Sequence, residues 1–187
     1  MKANTVKNLG FIELSEKVVV SDPCYDRDTW CMVTDLAVKP GRYKASVISS
    51  DEGEWGVRIS LLMLVHEDHI DSQLSKWEPV KGSVGVDSGQ CGIFDDTIFP
   101  QAKDHTDHEP FYDECCDITL KKNVGILKNN KGFVSSSGYG DGSYELSAIS
   151  KDGERVALML DYDLVKKRDI MRILVDEHQK SKGDGLK

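Results

Sequence analysis

The absences in this sequence narrow it first. Its 187 residues contain no run of about 18 apolar residues, so no transmembrane helix is expected. The opening MKANTVKNLGFIEL lacks the long apolar segment of a secretory signal. No internal repeat or low-complexity segment divides the chain. The five cysteines, Cys24, Cys31, Cys91, Cys115 and Cys116, are odd in number and contain no CxxC pair. That excludes zinc-ribbon spacing and argues against a disulfide framework; reduced thiols in a cytoplasmic protein are expected. GxSxG, P-loop and GxGxxG patterns are missing, which removes the commonest acyl-transfer and nucleotide signatures.

An excess of basic charge is also missing. The net charge is −8, and residues 87–117 alone hold nine acids against Lys103. Such a segment repels phosphate backbones, so no nucleic-acid partner is expected, and it attracts cations or a basic protein surface. A solvated, solubilising face explains the same charges.

What is present reads as one strand-rich α+β domain over residues 1–187, mainly antiparallel, with about two helices and a flexible tail over 181–187. Val18–Val20 is a β-branched run stopped by Ser21-Asp22-Pro23. Arg42–Ser49 alternates like a half-buried strand. Trp55–His66 contains Leu61-Leu62-Met63-Leu64-Val65, which suits a central strand or a buried helix, and places Trp55 in the core. Trp30 and Trp77 fit core or ligand-stacking roles equally. Lys151-Asp152-Gly153 between two apolar runs is the strongest hairpin signal. One helix is expected near 110–123, with Pro110 in its first turn and Tyr112, Cys115, Cys116, Thr119 and Leu120 on its buried face. A second is expected near 163–180.

Three loops combine acids, hydroxyls and glycines after apolar runs: Ser21–Tyr25, Asp87–Gln90 with Asp95-Asp96, and Ser135–Ser143. Glycine allows close backbone approach to a ligand, and strand-end loops are frequent homes for sites. Ordinary turn chemistry explains each loop singly. Converging, they would form a small polar ligand site from Asp22, Asp87, Ser88, Gln90, Asp95, Tyr139, Asp141 and Ser143. Asp22, Asp87 and Asp141 are the candidate ligands for a divalent cation, and a hydrolytic role with metal-activated water is compatible with them. The rival is a protein-interaction module whose acidic segment docks a basic surface.

The words VSDPCY, VKPGRY, EGEWGVRIS, VDSGQCGIFDD, FYDECCDITL and VSSSGYGDGSY resemble landmarks of bacterial and phage proteins similar to the domain of unknown function 4241. The resemblance covers roughly residues 17–162. It implies only one domain and a phage or bacterial setting; the role of an inhibitor or anti-defence factor acting on a host protein belongs to the acidic-segment reading. The resemblance implies no chemistry, and no catalytic residue is carried over.

Other constellations carry less. His66-Glu67-Asp68-His69 is not HExxH, and Asp104–Glu109 is a second His/acid cluster without the spacing of a metal site. Cys91 is the one cysteine placed like a nucleophile, but nearby carboxylates would raise its pKa.

Overall fold

The structure, a computed structural model, describes residues 4–72, 74–101 and 105–184, with side chains described for 4–72, 74–101 and 108–176. Twelve strands among these residues form two antiparallel sheets. The first sheet has the order β1 (Asn4–Leu14), β4 (Gly41–Asp51), β5 (Val57–His66), β12 (Glu154–Asp161), β11 (Gly142–Lys151) and β6 (Glu78–Pro79), and β7 (Val84–Val86) also pairs with β11. The second has the order β3 (Val33–Ala37), β2 (Lys17–Ser21), β8 (Gln90–Asp95), β10 (Gly132–Ser136) and β9 (Val124–Ile126). Helix α1 spans His105–Lys122 and helix α2 spans Lys167–Asp184. The fold class is therefore the expected one, α+β with antiparallel sheets and two helices.

Alternating side chains explain the layering. On β2, Val18 and Val20 point into the core between the sheets, while Val19 joins Phe94, Val134, Phe111 and Cys115 beneath α1. On β5, Leu62 and Leu64 face the same central core, and Leu61, Met63 and Val65 face the cluster that packs Ile170 of α2. β12 does likewise, with Leu158 and Leu160 on one side and Ala157 and Met159 on the other. Helices thus cover the outer faces of both sheets. Strands buried on two faces need apolar residues at every position, which is why LLMLV and VALML show no period of two.

Turn chemistry follows the sequence closely at one point. Asp152 and Gly153 take φ of 53° and 84° between the paired Lys151 and Glu154. Two consecutive positive φ values match the twist of a tight hairpin.

Several expectations are corrected. Gln90–Asp95 is a fully buried strand, not part of a loop. Pro110 lies inside α1 rather than in its first turn. The buried stripe of α1 is centred on Phe111, Cys115 and Thr119, and Leu120 is 85% exposed. Trp55 is 68% exposed at the β4–β5 connection. Helix α2 starts later than expected and continues to Asp184, inside the segment read as a tail.

Candidate functional site

The three polar loops are joined to one another. Asp22, at the end of β2, is buried and its carboxylate reaches the loop after β7. One oxygen accepts the backbone N–H of Asp87 at 2.9 Å and of Ser88 at 2.7 Å. The other accepts the Ser88 hydroxyl at 2.6 Å and the Cys24 N–H at 2.9 Å. The third loop attaches to the second through the Ser137 N–H, which donates to the Gly89 carbonyl at 3.0 Å. The last pair of the β7–β11 ladder is Val86 with Gly142, so Asp87 and Asp141 occupy the next register position. Asp22, Asp87 and Asp141 therefore sit on adjoining segments at one end of the molecule.

That convergence depends on Asp22 itself. Four donors occupy its carboxylate, which leaves it as an internal fastener rather than a free ligand. No group of three or more His, Cys, Asp or Glu side chains is placed to hold a metal among the described residues. Asp87 and Asp141 are exposed. Asp22 thus offers no free oxygen to a cation, and no hydrolytic step is derived for Asp22, Asp87 and Asp141.

Two more of the expected residues serve the fold. Gln90 is buried, and its side chain ties sheet to helix: its amide nitrogen donates to the Cys116 sulfur at 3.3 Å, and its amide oxygen accepts the Thr119 hydroxyl at 3.1 Å. Asp95 pairs with Val18, at the far end of β8 from Gln90. Five residue steps along the strand separate the two, about 17 Å at the usual rise. Asp95 accepts the Ser15 N–H, the Thr97 N–H and the Thr97 hydroxyl. Burial opposes its charge, but these hydrogen bonds prevail and hold the carboxyl below its ordinary pKa. Ser143 is exposed on β11, opposite Gly85.

Around Ser88 lies a cluster that sequence reasoning missed. The Tyr25 hydroxyl faces Asp87 and Cys31, and the Tyr112 hydroxyl of α1 faces Cys116 and Ser88. Burial, then Asp22, pushes the Cys24 thiol up to about 12. Burial likewise raises the Cys91 thiol, which is fully enclosed. Neither is a ready nucleophile, since the thiolate is the reactive form.

Tyr139, an expected site residue, belongs to an exposed aromatic group whose other member, Trp55, was expected in the core. Tyr139, 55% exposed, donates its hydroxyl to Glu52 at 2.5 Å, and the Ser50 hydroxyl donates to the other Glu52 oxygen at 2.7 Å. Trp55 stands edge-on to Tyr139 with ring centres 6.4 Å apart. The Arg58 guanidinium lies 5.6 Å from the centre of the Tyr139 ring, and its Nε–H donates to the Trp55 carbonyl at 3.0 Å. Val57 beside them is exposed as well. The loop that presents Tyr139 is fastened internally: Ser137 donates its hydroxyl to the Gly140 carbonyl at 2.8 Å, and the Tyr144 hydroxyl donates to the same oxygen at 2.7 Å. Gly140 takes φ of 114°, a conformation that favours glycine. Glu52 and Tyr139 are 87 positions apart, so no local pattern announces the pair.

Among the described residues the histidines belong to no group placed to hold a metal. His66 is buried, with Nε2 donating to the Pro40 carbonyl at 3.1 Å while Nδ1 accepts the Asp68 N–H at 3.2 Å. Asp104 and the side chains of His105 and Asp107 lie outside the described residues. Comparison with models of known families, with curated proteins and with solved structures gave no match.

Proposed function

We propose that the protein is a protein-interaction module whose contact surface is built on the β4–β5 hairpin and the 137–141 loop. One observation carries this. Trp55 and Tyr139 are largely exposed, yet Tyr139 is held by Glu52 and Arg58, and Trp55 packs against it. Trp, Tyr and Arg dominate binding hot spots, and rigid aromatic side chains lose little entropy on contact. Exposed Asp51, Glu54 and Asp141 supply negative charge on these same two segments. That favours a partner with a basic surface.

The acidic segment takes a different part from the one expected. Glu109, Asp113 and Asp117 recur every four residues on the exposed side of α1, and Asp117 pairs with Lys121 at 3.1 Å. A solvated stripe of this kind steers a basic partner at long range rather than forming the contact. In the phage or bacterial setting that the resemblance implies, such a module acts as an inhibitor by covering a host protein's basic surface. A second reading, a small polar ligand held by Asp87, Ser88, Asp141 and Ser143, is supported by the hydrogen bonds that unite the three loops.

The test is photo-crosslinking from position 57 in host cells, followed by binding measurements on the purified partner. A single reproducible partner is expected. Trp55→Ala should weaken it by about 2 kcal/mol or more, as hot-spot truncations do, with an unchanged circular dichroism spectrum. No reproducible partner, or a partner indifferent to both Trp55→Ala and Tyr139→Ala, would overturn the proposal.

A further inference from the structure

A second tryptophan stands clear of the fold. Trp30 is 90% exposed, and the turn that carries it is fixed. The Thr29 N–H and hydroxyl both donate to the Asp26 carbonyl, at 3.3 and 2.7 Å, and the Met32 N–H donates to the Thr29 carbonyl at 3.1 Å. Arg27 roots the same turn: its guanidinium donates to the Asp96 carboxylate at 2.6 Å and to the Asp96 and Phe99 carbonyls at 2.9 Å. A large aromatic side chain left in water on a rooted turn forgoes the burial that usually stabilises it, and such exposure marks contact surfaces.

The place of Trp30 relates it to the hairpin surface. The Cys31 carbonyl accepts the Gly85 N–H at 2.7 Å, so the turn runs along the edge of β7 that faces away from β11. Asp87 and Asp141 are exposed one step beyond the β7–β11 ladder, and Ser143 is exposed opposite Gly85. Past β11, the loop of Tyr139 is fixed to β5, where the Gly138 N–H donates to the Ile59 carbonyl at 3.1 Å, and Tyr139 meets Trp55. The order across this end of the molecule is thus Trp30, β7, β11, Tyr139 and Trp55.

Charge along that line has one sign. Asp26, Asp28, Glu54, Asp87 and Asp141 are exposed and form no ion pair with a basic side chain among the described residues. Segments 22–31, 51–58, 83–90 and 137–143 contain two bases, and both are engaged: Arg27 with Asp96, Arg58 over the Tyr139 ring. Aromatic faces and carboxylates without competing cations suit arginine, whose guanidinium stacks on indole and pairs with carboxylate.

We infer that the partner presents an extended, arginine-rich segment, which crosses this end of the molecule between two aromatic anchors, Trp55 and Trp30, and passes over Asp87 and Asp141. This deepens the hairpin reading and rests on it.

The probe is N-acetylated hexaarginine amide, titrated at about 0.15 M salt, where long-range attraction is screened, into the full chain labelled with ¹⁵N at the tryptophan indoles. The chain has three tryptophans, and Trp77, packed in the cluster beneath α2, is the internal reference. Saturable shifts of Trp30 and Trp55 with one common midpoint are expected, with Trp77 unmoved. Trp30→Ala should weaken binding several-fold, the range of an exposed cation–π contact, with an unchanged circular dichroism spectrum. Asp87→Asn combined with Asp141→Asn should also weaken it several-fold, whereas Glu109→Gln combined with Asp113→Asn on α1 should leave it within about two-fold. Shifts of Trp55 without Trp30 overturn this inference and leave the hairpin surface standing, since crosslinking from position 57 tests that surface separately. Silence of both indoles, an equal response of Trp77, or an equal loss from the α1 pair overturns it too.

Discussion

Asp22 and Ser88 meet through both the backbone and the side chain of the serine: one carboxylate oxygen accepts the Ser88 N–H at 2.7 Å and the other its hydroxyl at 2.6 Å. This pair joins the end of β2 to the turn after β7, and Asp87 and Cys24 complete the set of donors.

Asp22→Asn should therefore destabilise the protein strongly. An amide nitrogen would replace an acceptor where only donors converge, leaving buried groups unpaired. A loss of roughly 2–4 kcal/mol is expected from such a disruption. Urea denaturation measures it; a change below about 0.5 kcal/mol, typical of a surface site, would show that the pair does not fasten the loops.

Asp141→Asn should behave in the opposite way. Asp141 is exposed, so its stability cost should stay within about 0.5 kcal/mol. If the 137–141 loop contacts a basic partner, the same change should slow association at low salt and lose that effect as salt rises. Stopped-flow kinetics with the crosslinked partner, once purified, would show this.

Asp161 gives a pH signature. Its carboxyl is pushed up from 3.8 to about 6, first by burial, although the Asp163 N–H that it accepts at 2.9 Å acts the other way. Between about pH 4 and 6 the folded state holds this proton more tightly than the unfolded chain, so stability from this group falls as pH rises through that window. Asp161→Asn keeps the acceptor and removes the titration. The variant should gain on wild type by on the order of 2 kcal/mol between pH 4.5 and 7, after allowance for screening. Parallel urea midpoints at the two pH values check it, and a constant difference would refute it.

Cys24 should be a slow nucleophile. A thiol pushed up to about 12 has roughly a thousand-fold less thiolate at pH 8 than an ordinary one. Alkylation by iodoacetamide, followed by mass spectrometry of the Cys24 peptide, should lag far behind an unstructured cysteine peptide. Asp22→Asn should speed it. Alkylation of Cys24 at the rate of the free peptide would contradict the buried setting.

The legible parts of this fold are those whose causes are local. Asp152-Gly153 announced its hairpin because the two φ values belong to those residues alone. Val18–Val20 and Arg42–Ser49 were readable as strands for a similar reason. Leu61–Val65 was ambiguous because burial on both faces erases the alternation that distinguishes strand from helix. β1 went unseen because Lys7, Asn8 and the irregularity at Gly10 break its pattern, and its pairing with β4 is long-range. The meeting of the polar loops was anticipated; that Asp22 would be consumed in causing it was not. Its partners are mostly backbone N–H groups far along the chain, and sequence composition carries no trace of them. Trp55 was misplaced because a tryptophan beside an apolar run usually belongs to it, whereas here the strand begins two residues later.

The position of Asp22 also has a kinetic consequence. Its bonds to Asp87 and Ser88 span 65 and 66 positions, while β4–β5 and β11–β12 pair across short connections. Short-range hairpins close at small entropic cost and long loops close later. The Asp22 junction is thus expected to form after the barrier to folding has been crossed. Weakening it should leave the refolding rate nearly unchanged and shorten the lifetime of the folded protein, because interactions absent from the transition state act on the rate of escape.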